Sequence, residues 1–555
     1  MAAATPTEPR ADSFTRIATA IVPAGTILGA VKNGVESYNG IPFAEPPLGD
    51  LRMKPPVRLN TTVGRFDATK PAHACQQMIL STGSRNLLIN LLGSLANLPL
   101  IHLVTGQTED CLTVTVARPE GTSADAKLPV VFWIFGGAFE LGWSSMYDGT
   151  SLINHAASLG QPFIFVAVNY RVAGYGFMPG NDIMAEGSGN AGLLDQRMGL
   201  EWVADNIAAF GGDPDKVTLW GESAGAISAV SQMFLYDGDI SYKGKPLFRG
   251  AIMDSGSVIP TQPLDSPKGQ AVYDQVVKTA RCGNAADKLA CLRALSPSKF
   301  LNAVTSVPGV LSYTAVALSY LPRTDGKTLT KSQDLLLLSG RYAKVPLIIG
   351  DQEDEGTLFS VFQPNLTTHE KLVEYLHTYY FPNSTPEHLM QFVNIYGNGT
   401  EAVTRGSPFG TGTANELTPG FKHRAAILGD LVFTLARRIF LTGTSLLGPN
   451  VPSWSYLASY ARGTPVLGTF HGSDLLQVFF GANPNYATNS TRAYYTNFIN
   501  NLDPNVGVTD YPNWPRWSEG NNLMQFFAQN STLIKDDFRQ EAADWILDHI
   551  DELRF

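Results

Sequence analysis

Five stretches of this chain are apolar almost from end to end: LPVVFWIFG (128–136), PFIFVAVNYRV (162–172), KVTLW (216–220), FRGAIMDSG (248–256) and VPLIIGD (345–351). A strand with one wet face alternates apolar and polar side chains, because successive residues point to opposite sides. Continuous apolar runs belong instead to strands covered on both faces, the situation of a parallel sheet. Helical segments lie between the runs, such as LLDQRMGLEWVADNIAAFG (193–211). Alternating βα units of this kind predict a large, mostly parallel central sheet flanked by helices, an α/β fold. In such sheets functional groups gather beyond the carboxyl ends of the strands.

A chain of 555 residues would divide into three or four domains on a prior of about 150 residues each. The composition points to one unit. Apolar residues make up 44%, and 52 Gly and 35 Pro are dispersed instead of gathering in linkers. Residues 1–20 read as an N-terminal tail and 21–555 as a single domain. The net charge of −9, with both signs interspersed, opposes a nucleic-acid partner, which would need clustered Lys and Arg. With no apolar run of about 20 residues, no membrane span is expected.

LWGESAGA (219–226) places a serine between two glycines, after an apolar run and before AISAVSQMFL, which reads as a helix. A strand–turn–helix with G-x-S-x-G at the turn is the nucleophile-elbow pattern. Gly221 and Gly225 would let strand and helix approach closely while Ser223 takes a strained, exposed position. WIFGGAFELG (133–142) follows another buried run. Its small residues would let backbone N–H groups face a reacting oxygen, so Gly137, Ala138 and Ala224 are candidate oxyanion donors. The base should follow the acid in the chain. His369, His377, His388, His423 and His549 fall in helix-like stretches, whereas His471 stands on a loop after a short apolar run. Four carboxylates, Asp351, Glu353, Asp354 and Glu355, share the strand end IIGDQEDEGT, and spacing does not choose among them. No Cys/His spacing suggests a metal, and the chemistry requires no cofactor.

Cys75, Cys111, Cys282 and Cys291 are even in number with one close pair, which fits two disulfides formed in an oxidising compartment. Sequons begin at Asn60, Asn365, Asn383, Asn398, Asn489 and Asn530, all candidates for glycosylation. MAAATPTEPRADSF has no basic start and no apolar core, so it is not a secretory signal. Secretion is expected, with the signal removed or replaced.

FGGDPDKVTLWGESAG (210–225) and EDCLTVTVARP (109–119) resemble the two signatures of the type-B carboxylesterase/cholinesterase family. NYRVAGYGF (169–177) and NAGLLDQRMGLEWV (190–203) are similar to it as well, and the resemblance runs from about residue 22 to the C-terminus. The second signature departs at Thr115, where the family usually has Asp, Asn or Ser. GDQEDEGTLF, PSWSYLASY and LGTFHGSD resemble the fungal lipase and sterol esterase branch. The resemblance implies an α/β-hydrolase fold with Ser223 as nucleophile, Glu355 as acid and His471 as base. It implies oxyanion donors at Gly137, Ala138 and Ala224, disulfides Cys75–Cys111 and Cys282–Cys291, and a structural ion pair between Arg52 and Glu109.

Between Cys75 and Cys111, the stretch from Met78 to Val104 is rich in leucine, and Arg85 is its one fully charged side chain. As a helix, Asn86, Asn90, Ser94 and Asn97 fall within an arc of about 80°, opposite Leu87, Leu88, Leu91, Leu92, Leu95 and Leu98. A core helix would show this pattern. The disulfide at its base and the flanking Gly83, Pro99 and Gly106 favour a flap over the active site, at about 76–110. Exposing one leucine costs about 1.5–3 kcal/mol, so such a flap should open against lipid. The expected function is a secreted serine esterase/lipase that hydrolyses long-chain esters, triacylglycerols and steryl esters, through an acyl-enzyme. Its partner would be a lipid ester at a lipid–water interface, and the flap region is a candidate homodimer contact. The rival readings are a short-acyl or cholinesterase-like carboxylesterase and a non-catalytic adhesion module, which would lack the serine or the histidine.

Overall fold

A computed structural model describes residues 16–78 and 106–555. Its core is a thirteen-stranded sheet. The strands Ile164–Val168, Leu128–Ile134, Gly212–Glu222, Gly250–Asp254, Leu347–Gln352, Ser453–Ala458 and Asn522–Phe526 lie side by side in that order, each parallel to its neighbour. Antiparallel strands close both sides: Thr113–Pro119 and the meander Arg16–Val22, Gly25–Lys32 and Val35–Pro42 on one, Ser531–Lys535 on the other. Every residue of Ile164–Val168, Gly250–Asp254, Leu347–Gln352 and Ser453–Ala458 is buried. Because alternate side chains point to opposite faces, full burial means that both faces are covered, as the apolar runs require.

The 162–172 run is a strand only as far as Val168. Beyond it, the Arg171 guanidinium holds Asp195, in the helix Ala191–Asn206, through bonds of 2.8 and 2.7 Å. The helix expected over 193–211 is Ala191–Asn206 followed by one 3-10 turn. Gly211, at φ +83°, ends it. The edge strand Arg16–Val22 takes in residues that composition alone assigned to the tail. Ala18, Ala20 and Val22 face inward while their neighbours are exposed, a period-two pattern too weakly apolar to read from composition.

Cys75 is bonded to Cys111 and Cys282 to Cys291. Most of the leucine-rich flap expected at about 76–110 lies outside the described residues, and with it the candidate homodimer contact. Its two flanks are described. Ala74–Cys75 pairs in parallel with Gln107–Thr108 beside the first disulfide. Nearby, the Arg52 guanidinium makes two bonds of 2.7 Å to Glu109 and donates to the carbonyls of Leu292, Arg293 and Leu295. That buried cation ties the start of the chain to the segment after the second disulfide. Asn60, Asn365, Asn383, Asn398, Asn489 and Asn530 are all exposed.

Candidate active site

At the end of Gly212–Glu222 the chain reverses sharply into the helix Ala224–Phe234. Ser223, at the corner, has φ +56° and ψ −126°, a backbone state that costs an L-residue about 1–3 kcal/mol. The flanking glycines are obligatory. A Cβ on Gly221 would sit 2.3 Å from the Gly225 carbonyl, and one on Gly225 would sit 1.9 Å from the Ile134 oxygen. The strained corner is held by Ser223 N–H donating to Asp254 O (2.8 Å) and by Ile227 N–H donating to Ser223 O (3.0 Å).

His471 reaches this serine from the loop that follows Ser453–Ala458. Its Nε2 lies 2.8 Å from Ser223 Oγ, and its Nδ1 lies 2.5 Å from Glu355 Oε2. With Nδ1 facing a carboxylate, the proton belongs on that nitrogen, leaving Nε2 with a lone pair toward the hydroxyl. The Gln352 N–H donates to Glu355 Oε1 at 2.7 Å and fixes the carboxylate plane. Phe433 and Phe359 pack against the imidazole with ring centroids 4.6 and 5.1 Å away. Ser223, Glu355 and His471 thus come from the carboxyl ends of three different strands.

Each of the four clustered carboxylates has a different partner. Asp351 accepts from Arg437 Nε at 2.7 Å, and Glu353 accepts from Arg462 Nε at 2.6 Å. Asp354 accepts from Ser407 Oγ, Phe409 N–H and Thr469 N–H at 2.8–2.9 Å. Burial pushes its carboxyl up to about 6, against those donors. Glu355 alone of the four meets an imidazole.

The loop after Leu128–Ile134 lies against the elbow, where a Cβ on Gly136 would come within 2.9 Å of Ser223 Cβ. Gly137, Ala138 and Phe139 have φ of +103°, +57° and +58°, so this loop also stores backbone strain. Among the described residues, the N–H groups of Gly137, Ala138 and Ala224 have no protein acceptor. Three unsatisfied donors beside a hydroxyl that lies 2.8 Å from an imidazole suit a developing oxyanion.

Three buried acids beside the site, Glu222, Asp474 and Asp254, were not singled out from the sequence. Glu222, the residue before the serine, puts Oε1 3.7 Å from His471 Nε2. Burial, then repulsion from Asp474, pushes its carboxyl well above the usual range. Burial and the charge of Asp254 do the same to Asp474. Asp254, pushed up to about 6 by burial, accepts from Trp220 Nε1 and from the hydroxyls of Tyr456 and Tyr495 at 2.6–2.9 Å. Glu222 occupies the variable position of G-x-S-x-G, the only signal that could have flagged it. Other histidines are engaged elsewhere: His369 stacks on His423, and His388 meets Glu552. Among the described residues, no group of three His, Cys, Asp or Glu is placed to hold a metal ion.

The model of the carboxylesterase family matches residues 15–545. A secreted triacylglycerol lipase of Gibberella zeae is 58% identical over 543 residues, 98% of this chain and 92% of the relative. Lipase 2 of Diutina rugosa is 44% identical over 537 residues, 93% of each chain. Among solved structures, EstA of Aspergillus niger superposes with a TM-score of 0.80 at 25% identity, covering 96% of this chain and 98% of that one. The sheet order and these likenesses together identify the α/β-hydrolase fold.

Proposed function

We infer, because this chain belongs to the carboxylesterase family, that it is a secreted triacylglycerol lipase working through Ser223, His471 and Glu355. The observation that carries this reading is the imidazole of His471 held between hydroxyl and carboxylate at 2.8 and 2.5 Å. Ser223 Oγ adds to the ester carbonyl carbon as its proton passes to His471 Nε2. Glu355 stabilises the imidazolium through the Nδ1–H bond. The carbonyl oxygen, now an oxyanion, is met by the N–H groups of Gly137, Ala138 and Ala224, each donor contributing about 10²–10³ in rate. Collapse of the tetrahedral adduct breaks the bond to the alcohol oxygen, which takes the proton from His471. Water then attacks the acyl-Ser223 ester with His471 again as base, releasing the fatty acid and restoring the hydroxyl.

The substrates proposed are water-insoluble long-chain esters, triacylglycerols first and steryl esters as well. The leucine-rich composition of residues 78–104 supports this, since each methylene of a buried acyl chain contributes about 0.8 kcal/mol of binding that a short ester lacks. Relatives named as secreted lipases, two disulfides and six exposed sequon asparagines support secretion. The test is a hydrolysis panel of emulsified triolein, cholesteryl oleate and p-nitrophenyl butyrate, run with the wild type and Ser223→Ala. The expected result is turnover of all three, highest on the emulsions, and none by the variant. A wild type that prefers the short soluble ester would overturn the lipase reading, and one inactive on cholesteryl oleate would remove the steryl esters.

A further inference from the structure

The oxyanion loop is held at its far end by one buried side chain from the flank of the first disulfide. Gln77, two residues beyond Cys75, is 3% exposed. Its Nε2 donates to the Gly142 carbonyl at 2.8 Å, and its Oε1 accepts from the Gly142 N–H at 3.3 Å. The primary amide thus meets both polar groups of one residue, as a paired strand would. Gly142 has φ +112°, and a Cβ there would sit 2.4 Å from the Phe135 ring. No other residue can take that conformation in that space, so this position has no side chain of its own to hold it; within the same turn, Glu140 Oε2 accepts from the Val310 N–H at 2.8 Å.

Gly142 closes the turn that carries the oxyanion donors. The N–H groups of Glu140 and Leu141 both donate to the Gly137 carbonyl, at 3.0 and 3.1 Å, which orients the Gly137–Ala138 peptide. Met78 N–H adds a bond to the Glu140 carbonyl at 2.9 Å. Gln77 is itself immobilised: its N–H donates to Gln107 Oε1 at 3.3 Å, and the Ala74–Cys75 and Gln107–Thr108 pair lies beside it. The Cys75–Cys111 bond locks that pair.

We propose that Gln77 is a positioning residue for the oxyanion hole, transmitting the rigidity of the disulfide-locked flank to the N–H groups of Gly137 and Ala138. The proposal rests on the reading of those groups as oxyanion donors. Donors act only when they meet the oxyanion at hydrogen-bond distance, so a small displacement of the turn weakens the transition state more than the bound ester. Loss of Gln77 should therefore lower kcat and leave KM for a small soluble ester nearly unchanged.

Gln77→Leu removes both bonds, and Gln77→Glu keeps the shape and the acceptor but loses the donor. Both are read on p-nitrophenyl butyrate and against a trifluoromethyl ketone, whose adduct with the serine places an oxyanion in the hole. Expected are a kcat about 10–100-fold lower for Gln77→Leu, at least as large a fall for Gln77→Glu, whose second carboxylate oxygen would face the Gly142 carbonyl, and inhibition constants raised by matching factors. Should Gln77→Leu not accumulate as folded protein, Gln77→Glu carries the same two readouts. A folded variant with wild-type kcat, or one whose kcat falls without weaker ketone inhibition, overturns the proposal. Full activity in Ser223→Ala would instead overturn the catalytic reading beneath it, so the two failures are distinguishable.

Discussion

Replacing Glu355 by Gln should cripple turnover by changing which nitrogen of His471 carries the proton. Glu355 Oε1 accepts from Gln352 N–H at 2.7 Å, and Oε2 faces His471 Nδ1 at 2.5 Å. A glutamine that keeps the first bond must turn its NH₂ toward Nδ1. The imidazole then carries its proton on Nε2 and donates to Ser223 Oγ, so it cannot act as base. The opposite amide orientation restores the tautomer but sets NH₂ against the Gln352 N–H. Leaving that buried donor unpaired costs about 1–3 kcal/mol, so the productive form is a minority of about 1–15%. With the carboxylate charge also gone, kcat should fall about 10³–10⁴-fold. Asp354→Asn serves as the control. Its three donors cannot all meet an amide, so it should lose about 1–3 kcal/mol of stability while kcat stays within a few-fold. The assay is kcat on p-nitrophenyl butyrate at pH 8 beside thermal unfolding of each variant. If Asp354→Asn abolishes turnover while Glu355→Gln stays within tenfold of wild type, the geometry has been misread.

The disulfides should contribute unequally. Their loops span 36 and 9 residues, and loop-closure entropy gives about 4 and 2.5 kcal/mol. Cys75→Ser/Cys111→Ser should therefore lower the denaturation midpoint more than Cys282→Ser/Cys291→Ser, and the reverse order would contradict the loop-entropy argument. Burial, then the stacked His369, holds the His423 imidazole down at about 4. An unfolded chain titrates near 6.5, so between about 6.5 and 4 it binds a proton that the native protein refuses. This contribution is fully present above that window and is lost as pH falls through it. His423→Gln should therefore flatten the decline in Tm from pH 7 to 4.5, and an unchanged slope would show that other groups set it.

The parallel core was legible because its strands are buried on both faces and leave continuous apolar runs. Ser453–Ala458 left none: its serines are buried, and Ser455 Oγ satisfies itself by donating to the Ile349 carbonyl at 2.7 Å. The elbow could be read because G-x-S-x-G reflects local sterics, and the Cβ contacts at Gly221 and Gly225 bear that out. His471 stood out by its loop setting. Glu355 did not, since four carboxylates in five positions differ only in which distant side chain each meets. Gln77 was invisible for the same reason. Its partner, Gly142, lies 65 residues away, and nothing about an isolated glutamine announces a backbone clamp.

Covalent labelling tests the central claim most directly. The protein is incubated with an organophosphate ester, digested, and mapped by mass spectrometry while residual activity is followed. Attack by an activated hydroxyl predicts one phosphoryl adduct per chain, on the peptide containing Ser223, with activity lost in step and no labelling of Ser223→Ala or His471→Ala. An adduct on another residue that tracks the loss of activity, or rapid labelling of Ser223 without His471, would contradict it.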